Sequence, residues 1–350
     1  MYEAFFIFAT MWSYGGSVGG GQDDNEVLNK FNGIFRSLVK IKFPEGGLVY
    51  DYFYSVEENK WVNWVDKVVA YEHVEEPLFN KIFVPTIHTT RLRYLLDIHL
   101  KRKKPVLFVG GAGTGKTQVI KNYLAATKPE QVSHKTINFS SFTDSLALQR
   151  QIESMLDKKS GKTYGSAMNK VLIAFIDDLN MPYVDIYGTQ EPIQLLRQIV
   201  DYGSIFNREQ LEERKFIQDL LFFACLNHKS GSFVIDSRLQ RNFSCFTMYT
   251  PTEEIIKRIF GEILASHLST PGFDEKFKAF SGKIMDATVM FFTKTIRNPQ
   301  FSPSAKKFHY QFNFRELAKI IEGVMRSVPQ TFKTTGDIVR IWFHEVRRVF

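Results

Sequence analysis

The chain has 350 residues, of which 44% are hydrophobic and 23% are charged, with a net charge of +8. This composition excludes a largely disordered chain and a small disulfide-dependent scaffold, and the length favours two domains. The densest basic run, KRKK at 101–104, lacks interleaved aromatic residues, so we expect no nucleic-acid interface. The two cysteines, Cys225 and Cys245, lie in apolar runs without metal-site spacing.

The N-terminal apolar stretch at 5–12 is too short to span a bilayer and follows no positively charged segment. We therefore expect an intracellular protein with no membrane contact. Residues 1–42 predict a helix, a glycine-rich turn and a second amphipathic helix. Neither the helix at residue 1 nor the one that reaches Phe350 carries a start or stop signal, which predicts a piece of a longer polypeptide.

Alternating aromatic and polar residues at 43–75 predict a two-stranded hairpin with Glu57, Glu58 and Asn59 in its turn. A helix is expected at 86–100. Short apolar runs then alternate with helical stretches, which predicts an α/β fold with a parallel sheet covered on both faces. The predicted strands are 105–110, 134–139, 171–177, 220–227 and 243–249.

The pattern becomes entirely helical after residue 250. Thr250 is the predicted N-cap, with Pro251 in the first turn and Glu253 completing a capping box. Further helices are expected at 252–268, 274–296 and 314–327, and a last one after Gly336.

One segment matches the P-loop pattern GxxxxGK[ST] and lies between a predicted strand and a predicted helix. The glycines let backbone N–H groups surround a phosphate, the lysine adds a mobile positive charge, and the threonine hydroxyl binds Mg²⁺. The alternative is a glycine-rich turn that binds no nucleotide. The predicted nucleotide-binding residues of this loop are Gly110, Gly111, Ala112, Gly113, Thr114, Gly115, Lys116 and Thr117.

The apolar strand at 171–177 ends in a carboxylate, as a Walker B strand does, so Asp177 is the predicted second metal ligand beside Thr117. Asp178 stands where hydrolytic enzymes of the AAA+ class usually hold Glu, and it is the candidate general base. The alternative for Asp178 is a helix-start carboxylate without a catalytic role. Asn227 ends the next apolar strand, where it would orient the attacking water or simply occupy a turn.

Other P-loop classes fit less well. A GTPase needs an Asn-Lys-x-Asp base-reading motif, and residues 227–229 depart from it. A transporter ATPase carries its signature between the two Walker motifs, and a small-molecule kinase needs neither the hairpin nor the helical domain. A P-loop core followed by a helical lid is the AAA+ layout.

The sequence further resembles the third AAA+ module of an axonemal dynein heavy chain. The similarity covers nearly the whole chain. It is carried by the segments 5–16 (FFIFATMWSYGG), 84–86 (VPT), 175–182 (FIDDLNMP), 187–188 (YG), 192–198 (PIQLLRQ), 237–243 (SRLQRNF) and 309–317 (HYQFNFREL).

This resemblance implies six AAA+ modules in one chain, the third being a regulatory ATP/ADP site with Mg²⁺. Residues 1–42 would end the preceding small domain, 43–250 would form the large P-loop domain, and 251–350 would form most of the helical small domain. The implied partners are neighbouring modules and, through the full-length protein, intermediate chains, light chains and microtubules. The implied location is the cytoskeleton, specifically the ciliary axoneme.

The resemblance also assigns individual residues. Val84 and Pro85 would lie on the adenine side, Asn227 would be sensor I and Arg315 sensor II. Arg315 follows a predicted capping Asn313; a plain surface charge is its alternative. The arginine finger for the neighbouring module would be Arg241 or Arg238. His88 and residues 227–229 depart from the family pattern.

Two functions of different classes fit the sequence. The first is a slowly hydrolysing regulatory ATPase module of a microtubule motor. The second is a structural nucleotide-binding module with negligible hydrolysis. An independent AAA+ ATPase is a third possibility, which the two unterminated ends disfavour.

Overall fold

The computed structural model describes residues 1–19, 24–41, 43–72, 78–228 and 235–350. The helices are α1 (Tyr2–Gly15), α2 (Asp24–Leu38), α3 (Ile87–Lys101), α4 (Lys116–Ala125), α5 (Ser145–Glu153), α6 (Glu191–Tyr202), α7 (Ser237–Gln240), α8 (Glu253–His267), α9 (Glu275–Arg297), α10 (Phe314–Val324) and α11 (Thr335–Val349). The strands are β1 (Tyr52–Ser55), β2 (Lys60–Asn63), β3 (Val106–Gly110), β4 (Val132–Asn138), β5 (Asp157–Ser160), β6 (Thr163–Gly165), β7 (Val171–Asp177), β8 (Ser204–Phe206), β9 (Arg214–Gln218), β10 (Leu220–Leu226) and β11 (Ser244–Met248).

The chain forms two compact units. The first comprises Met1–Lys67 and His88–Tyr249, and the second comprises Val68–Ile87 and Thr250–Phe350. The predicted division at residues 42 and 250 stays a prediction about module boundaries. It differs from the compact units in that Val68–Ile87 belongs to the second unit and the N-terminal helices belong to the first.

The centre of the first unit is a parallel five-stranded sheet in the order β11-β3-β10-β7-β4. One face of the sheet packs its alternate apolar residues, among them Phe222 and Ala224, against α5 and α6. On the opposite face the Phe223 ring lies 6.3 Å from the Tyr123 ring of α4. The predicted α/β fold, with a parallel sheet flanked by helices, is confirmed.

The predicted hairpin is also present. Strands β1 and β2 pair antiparallel with Ser55 opposite Lys60, and the turn places Asn59 at φ 51°. Asparagine tolerates this left-handed conformation better than most residues because its short side chain bonds locally.

A second sheet, with the order β5-β6-β9-β8, was not predicted from the sequence. Its strands are three to five residues long, and every residue of β5 (DKKS) is exposed. Such strands have no alternating apolar pattern, so periodicity could not identify them.

The second unit is built from α8 to α11 around buried residues that include Leu264, Leu317 and Ile321. The predicted N-cap at Thr250 is wrong, because α8 begins at Glu253 and the Thr252 hydroxyl accepts the Ile255 N–H at 3.4 Å. This start places Glu253 and Glu254 in the first turn, where the positive end of the helix dipole stabilises carboxylates.

The last helix begins at Thr335, slightly earlier than expected. Its N-cap Thr334 forms a capping box with Asp337, so Gly336 lies inside the first turn. Within the described residues no helix is both long enough and apolar enough to cross a membrane.

Candidate nucleotide-binding site

The loop between β3 and α4 uses glycine for two separate physical reasons. Gly113 and Gly115 have φ values of 79° and 89°, which residues with a side chain rarely adopt. A Cβ at Gly115 would meet no atom within 4 Å, so the backbone conformation rather than crowding requires this glycine. A Cβ on Gly110 would lie 2.6 Å from the Met248 carbonyl oxygen of β11, so close packing requires that one. The loop therefore packs against β11 at Gly110, whereas there is free space beside Gly115.

Lys116 begins α4, and only 8% of its surface is exposed. Its ammonium donates hydrogen bonds to the Gly110 carbonyl at 2.9 Å and the Gly111 carbonyl at 2.6 Å. The Thr114 hydroxyl lies 3.4 Å from the same nitrogen and itself donates to the Gly111 carbonyl at 3.0 Å. Two of the partners of this buried charge are therefore neutral carbonyls, which a phosphate oxygen can replace because charge-assisted hydrogen bonds are stronger.

Thr117 and Asp177 meet across the edge of the sheet. The Thr117 hydroxyl lies 3.0 Å and 3.2 Å from the two carboxylate oxygens of Asp177, the last residue of β7. Hydroxyl and carboxylate oxygens are the ligands that Mg²⁺ prefers, and Mg²⁺ usually takes one or two protein ligands and completes its shell with water and phosphate. The described residues contain no cluster of three or more His, Cys, Asp or Glu side chains that could hold a metal by themselves. This pair therefore fits Mg²⁺ that arrives with a nucleotide.

Asp178 adopts φ 56°, which is uncommon for a residue with a side chain, and it is exposed. Its N–H donates to the Asp177 carboxylate at 3.2 Å, and the following Leu179 N–H donates to the Cys225 carbonyl at 2.9 Å. The chain therefore turns sharply over the end of β10 at this point. Asp178 does not begin a helix, because a turn follows it and α6 starts only at Glu191.

Asn227 directly follows β10, which lies between β3 and β7 in the sheet. Because parallel strands end at one edge, the structure brings Asn227, the P-loop and Asp177 to the same edge of the sheet. The Asn180 side-chain amide donates to the Asn227 carbonyl at 3.1 Å, which ties the segment after β7 to the end of β10. Asn180 lies in the 175–182 segment that carries the family resemblance, but its contact with Asn227 was not predicted. Lys229 lies outside the described residues.

Cys225 was not predicted to have any relation to the site. Burial is the main cause that raises its pKa well above the ordinary value, and the Asp177 carboxylate adds to this effect while Lys116 opposes it. The thiol is therefore neutral, and it lies one residue before the end of β10, the strand next to β7 in the sheet. The one related signal in the sequence was the apolar run in which Cys225 lies.

Both candidate arginine fingers lie in or beside the short helix α7 and are exposed. The Asp236 side chain accepts the Arg238 N–H at 3.0 Å and caps this helix. Arg241 forms an ion pair with Asp201 of α6 at 3.6 Å. The structure thus tethers Arg241 and leaves the Arg238 guanidinium at the surface.

The remaining predicted residues belong to the second unit. Val84 is 4% exposed and packs in the apolar cluster of that unit, and Pro85 is half-buried. Arg315 is exposed in the first turn of α10. The predicted cap at Asn313 is confirmed, because its side chain accepts the Arg315 N–H at 2.8 Å.

A polar cluster around the buried Arg91 in the first unit contains His88, one of the departures from the family pattern. The Arg91 guanidinium donates to His88 Nδ1 at 2.6 Å and to the Tyr50 carbonyl at 3.1 Å, and it lies 3.8 Å from the Asp51 carboxylate. Burial, and then the Arg91 charge, lowers the pKa of His88 to about 3. His88 is therefore neutral, with its proton on Nε2.

Comparison with known protein families gives matches along the chain. Residues 71–251 match the model described as the P-loop containing dynein motor region. Residues 1–66 match the dynein heavy chain AAA lid domain, and residues 284–350 match the AAA+ lid domain.

Similar curated proteins include dynein axonemal heavy chain 11 of Sus scrofa, 34% identical over 100% of this chain. The flagellar outer-arm dynein beta chain of Chlamydomonas reinhardtii is 38% identical over 99% of it, and human dynein axonemal heavy chain 17 is 35% identical over 100%. The chain spans only 7–8% of the length of these relatives. The match to the motor-region model covers more than half of the residues of this chain. The chain therefore belongs to the dynein heavy chain family of AAA+ P-loop proteins.

Proposed function

We propose that this chain is the third AAA+ module of an axonemal dynein heavy chain, a regulatory site that binds ATP or ADP with Mg²⁺ and hydrolyses ATP slowly. The observation that carries the proposal is the Thr117 hydroxyl 3.0 Å from the Asp177 carboxylate, beside a buried Lys116 held by its own loop. The names of the similar proteins support the axonemal part of the proposal.

The site residues of the first unit have distinct tasks in this proposal. The N–H groups of residues 110–117 surround the β-phosphate, and Lys116 moves from the Gly110 and Gly111 carbonyls to phosphate oxygens. Thr117 and Asp177 would hold Mg²⁺, which would supply positive charge to the phosphates of the nucleotide.

Asp178 is the proposed base that orients the attacking water, with Asn227 assisting. A base must lie within about 2.6–3.2 Å of the water it polarises. Aspartate is shorter than glutamate by one C–C bond, roughly 1.5 Å. A misplacement of about 1 Å can cost on the order of a hundredfold in rate, so we expect slow hydrolysis. Arg315 is the proposed sensor of the γ-phosphate.

Within the whole heavy chain, the module would work with neighbouring AAA+ modules. Arg241 or Arg238 would serve the nucleotide of the neighbouring module rather than that of this one. Contacts with intermediate chains, light chains and microtubules would belong to other parts of the full-length protein, in the cytoskeleton of the ciliary axoneme.

Single-turnover release of γ-phosphate from Mg·ATP tests the proposal. Asp178→Glu should hydrolyse faster than the parent chain, by up to about a hundredfold. Asp178→Asn should slow the reaction further while nucleotide affinity stays unchanged, and Asp185→Asn, on the following loop, is a control that should alter neither.

Two outcomes separate the alternatives. Binding without measurable release in both the parent and Asp178→Glu would indicate a structural nucleotide-binding module. Equal and rapid release in both would show that the length of Asp178 does not limit the rate, and that the module is an ordinary ATPase.

A further inference from the structure

The chain contains three Ser/Thr-Pro dipeptides, at Thr250, Thr270 and Ser302. They differ in the charge that follows them. Four and five positions after Ser302 lie two lysines, whereas acidic residues follow the other two within five positions. The residues concerned are Lys306 and Lys307 after Ser302, Glu253 and Glu254 after Thr250, and Asp274 and Glu275 after Thr270.

The three hydroxyls also differ in accessibility. Ser302 is exposed, as are all residues from 301 to 309, and within the described residues its hydroxyl makes no hydrogen bond. The Thr270 hydroxyl is half-buried and donates to the His267 carbonyl at 2.7 Å. Thr250 is exposed, but its acidic surroundings disfavour an incoming anion.

The backbone around Ser302 has the conformation that a protein kinase needs in a substrate. Ser302 is extended, with φ −70° and ψ 140°, as a residue before proline tends to be. It begins a segment, 302–313, that forms neither helix nor strand. Pro303 carries no N–H. A kinase pocket that offers no acceptor to the backbone N–H of the residue after the target serine therefore binds this segment without a desolvation cost.

We propose that Ser302 is a phosphorylation site for a proline-directed serine/threonine protein kinase. The Ser302 hydroxyl oxygen attacks the γ-phosphorus of the kinase-bound ATP, and the bond from that phosphorus to the β–γ bridging oxygen breaks. The hydroxyl proton passes to the catalytic aspartate of the kinase, and ADP leaves. The proposal concerns a different part of the chain from the P-loop and does not rest on the proposed function.

The surroundings of Ser302 suit the product as well as the substrate. Between residues 298 and 313 the chain carries Lys306 and Lys307 and no acidic residue. The Lys307 ammonium donates to the Gln300 carbonyl at 2.9 Å, two residues from Ser302. A phosphate with about two negative charges near neutral pH offers it a stronger, charge-assisted acceptor. The modification would therefore draw Lys307 away from Gln300 in the segment that leads into α10.

The test is to incubate the folded 350-residue chain with a proline-directed kinase and Mg·ATP and to map the phosphate by peptide mass spectrometry. We expect modification at Ser302 and loss of at least about tenfold of the incorporation in Ser302→Ala, in Pro303→Ala and in the double variant Lys306→Glu/Lys307→Glu. Ser304→Ala is the matched control, because it removes a neighbouring exposed hydroxyl that no proline follows. A reaction without added kinase controls for phosphate transfer by the chain itself.

A second measurement tests the lysines in the product. The phosphorus NMR titration of the modified chain should give a second phosphate pKa below the ordinary value of about 6, and Lys307→Ala should return it toward that value. Modification at Thr250 or Thr270 with Ser302 unmodified would overturn the proposal. So would absence of phosphate on the folded chain, whether or not an isolated peptide of residues 298–313 is modified.

Discussion

The P-loop edge of the sheet and the helical second unit both bury polar groups, but they satisfy them in different ways. At the sheet edge, the Lys116 ammonium donates to carbonyls of its own loop, and no atom lies near Gly115 of this loop. In the helical unit, Nε1 of the half-buried Trp342 in α11 donates to the buried Thr288 hydroxyl of α9 at 2.8 Å. A ligand can replace the partners of the first group, whereas packed helices enclose the second.

This difference indicates which buried polar groups are available to a ligand. A buried polar group that is already matched by a partner on another packed element stabilises the fold. A buried charge whose partners are local carbonyls is available to a ligand of opposite charge.

The largest expected effect is on nucleotide binding. Lys116→Ala removes a charge-assisted contact worth roughly 1.5–3 kcal/mol, so ATP affinity should fall at least about tenfold in equilibrium titration. Lys121→Ala, on the exposed side of the same helix, should bind ATP like the parent. Unchanged affinity in Lys116→Ala would remove the basis for an exchangeable charge at this edge.

The helical unit should respond in stability instead. Thr288→Val is nearly isosteric but removes the acceptor of the half-buried Trp342 N–H, which should lower the free energy of unfolding by about 1.5 kcal/mol. Thr295→Val is the matched control on α9, because among the described residues that buried hydroxyl bonds only the Phe291 carbonyl of its own helix. Urea denaturation of both variants checks the prediction, and equal losses would contradict it.

His88 belongs to an enclosed cluster in the first unit and should affect stability through pH. Its pKa of about 3 lies below the ordinary value near 6.5, so only the unfolded chain gains a proton as the pH falls below 6.5. Stability is thus complete above that pH and is lost as the pH falls toward 3. Between pH 7.5 and 5.5 the expected loss from this group is about 1.4 kcal/mol.

His88→Asn keeps an acceptor for Arg91 but cannot titrate, so this share of the pH dependence should disappear from urea unfolding curves. His134→Asn, at an exposed strand position, should retain the dependence of the parent. Identical pH profiles for the parent and His88→Asn would show that folding does not lower the pKa of His88.

The smallest effect is expected at the surface. Arg241→Ala and Arg238→Ala should leave the ATP affinity of this chain unchanged, because we assign these arginines to the nucleotide of the neighbouring module. Arg241→Ala should instead alter nucleotide turnover in the full-length heavy chain. A large loss of affinity in the isolated chain would place the affected arginine at this module's own site.

Much of the fold and of the site could be predicted from local patterns. The five apolar runs predicted the parallel sheet because strands buried on both faces consist of nearly continuous apolar residues. The P-loop residues and Asp177 were identifiable because phosphate binding demands glycine, lysine and threonine at fixed spacing, after a strand and before a helix. The proline and acidic residues near 250 indicated the change to helices, although they misplaced the cap by two residues.

Only the tertiary structure decided the rest. It places Thr117 against Asp177, sixty residues apart, because strand order β3-β10-β7 brings their ends to one edge. It pairs short polar strands into a second sheet, joins Val68–Ile87 to the helical unit and buries Arg91 beside His88. These features depend on contacts between distant segments, which no local periodicity encodes, whereas the P-loop and the central strands are specified by residues adjacent in sequence.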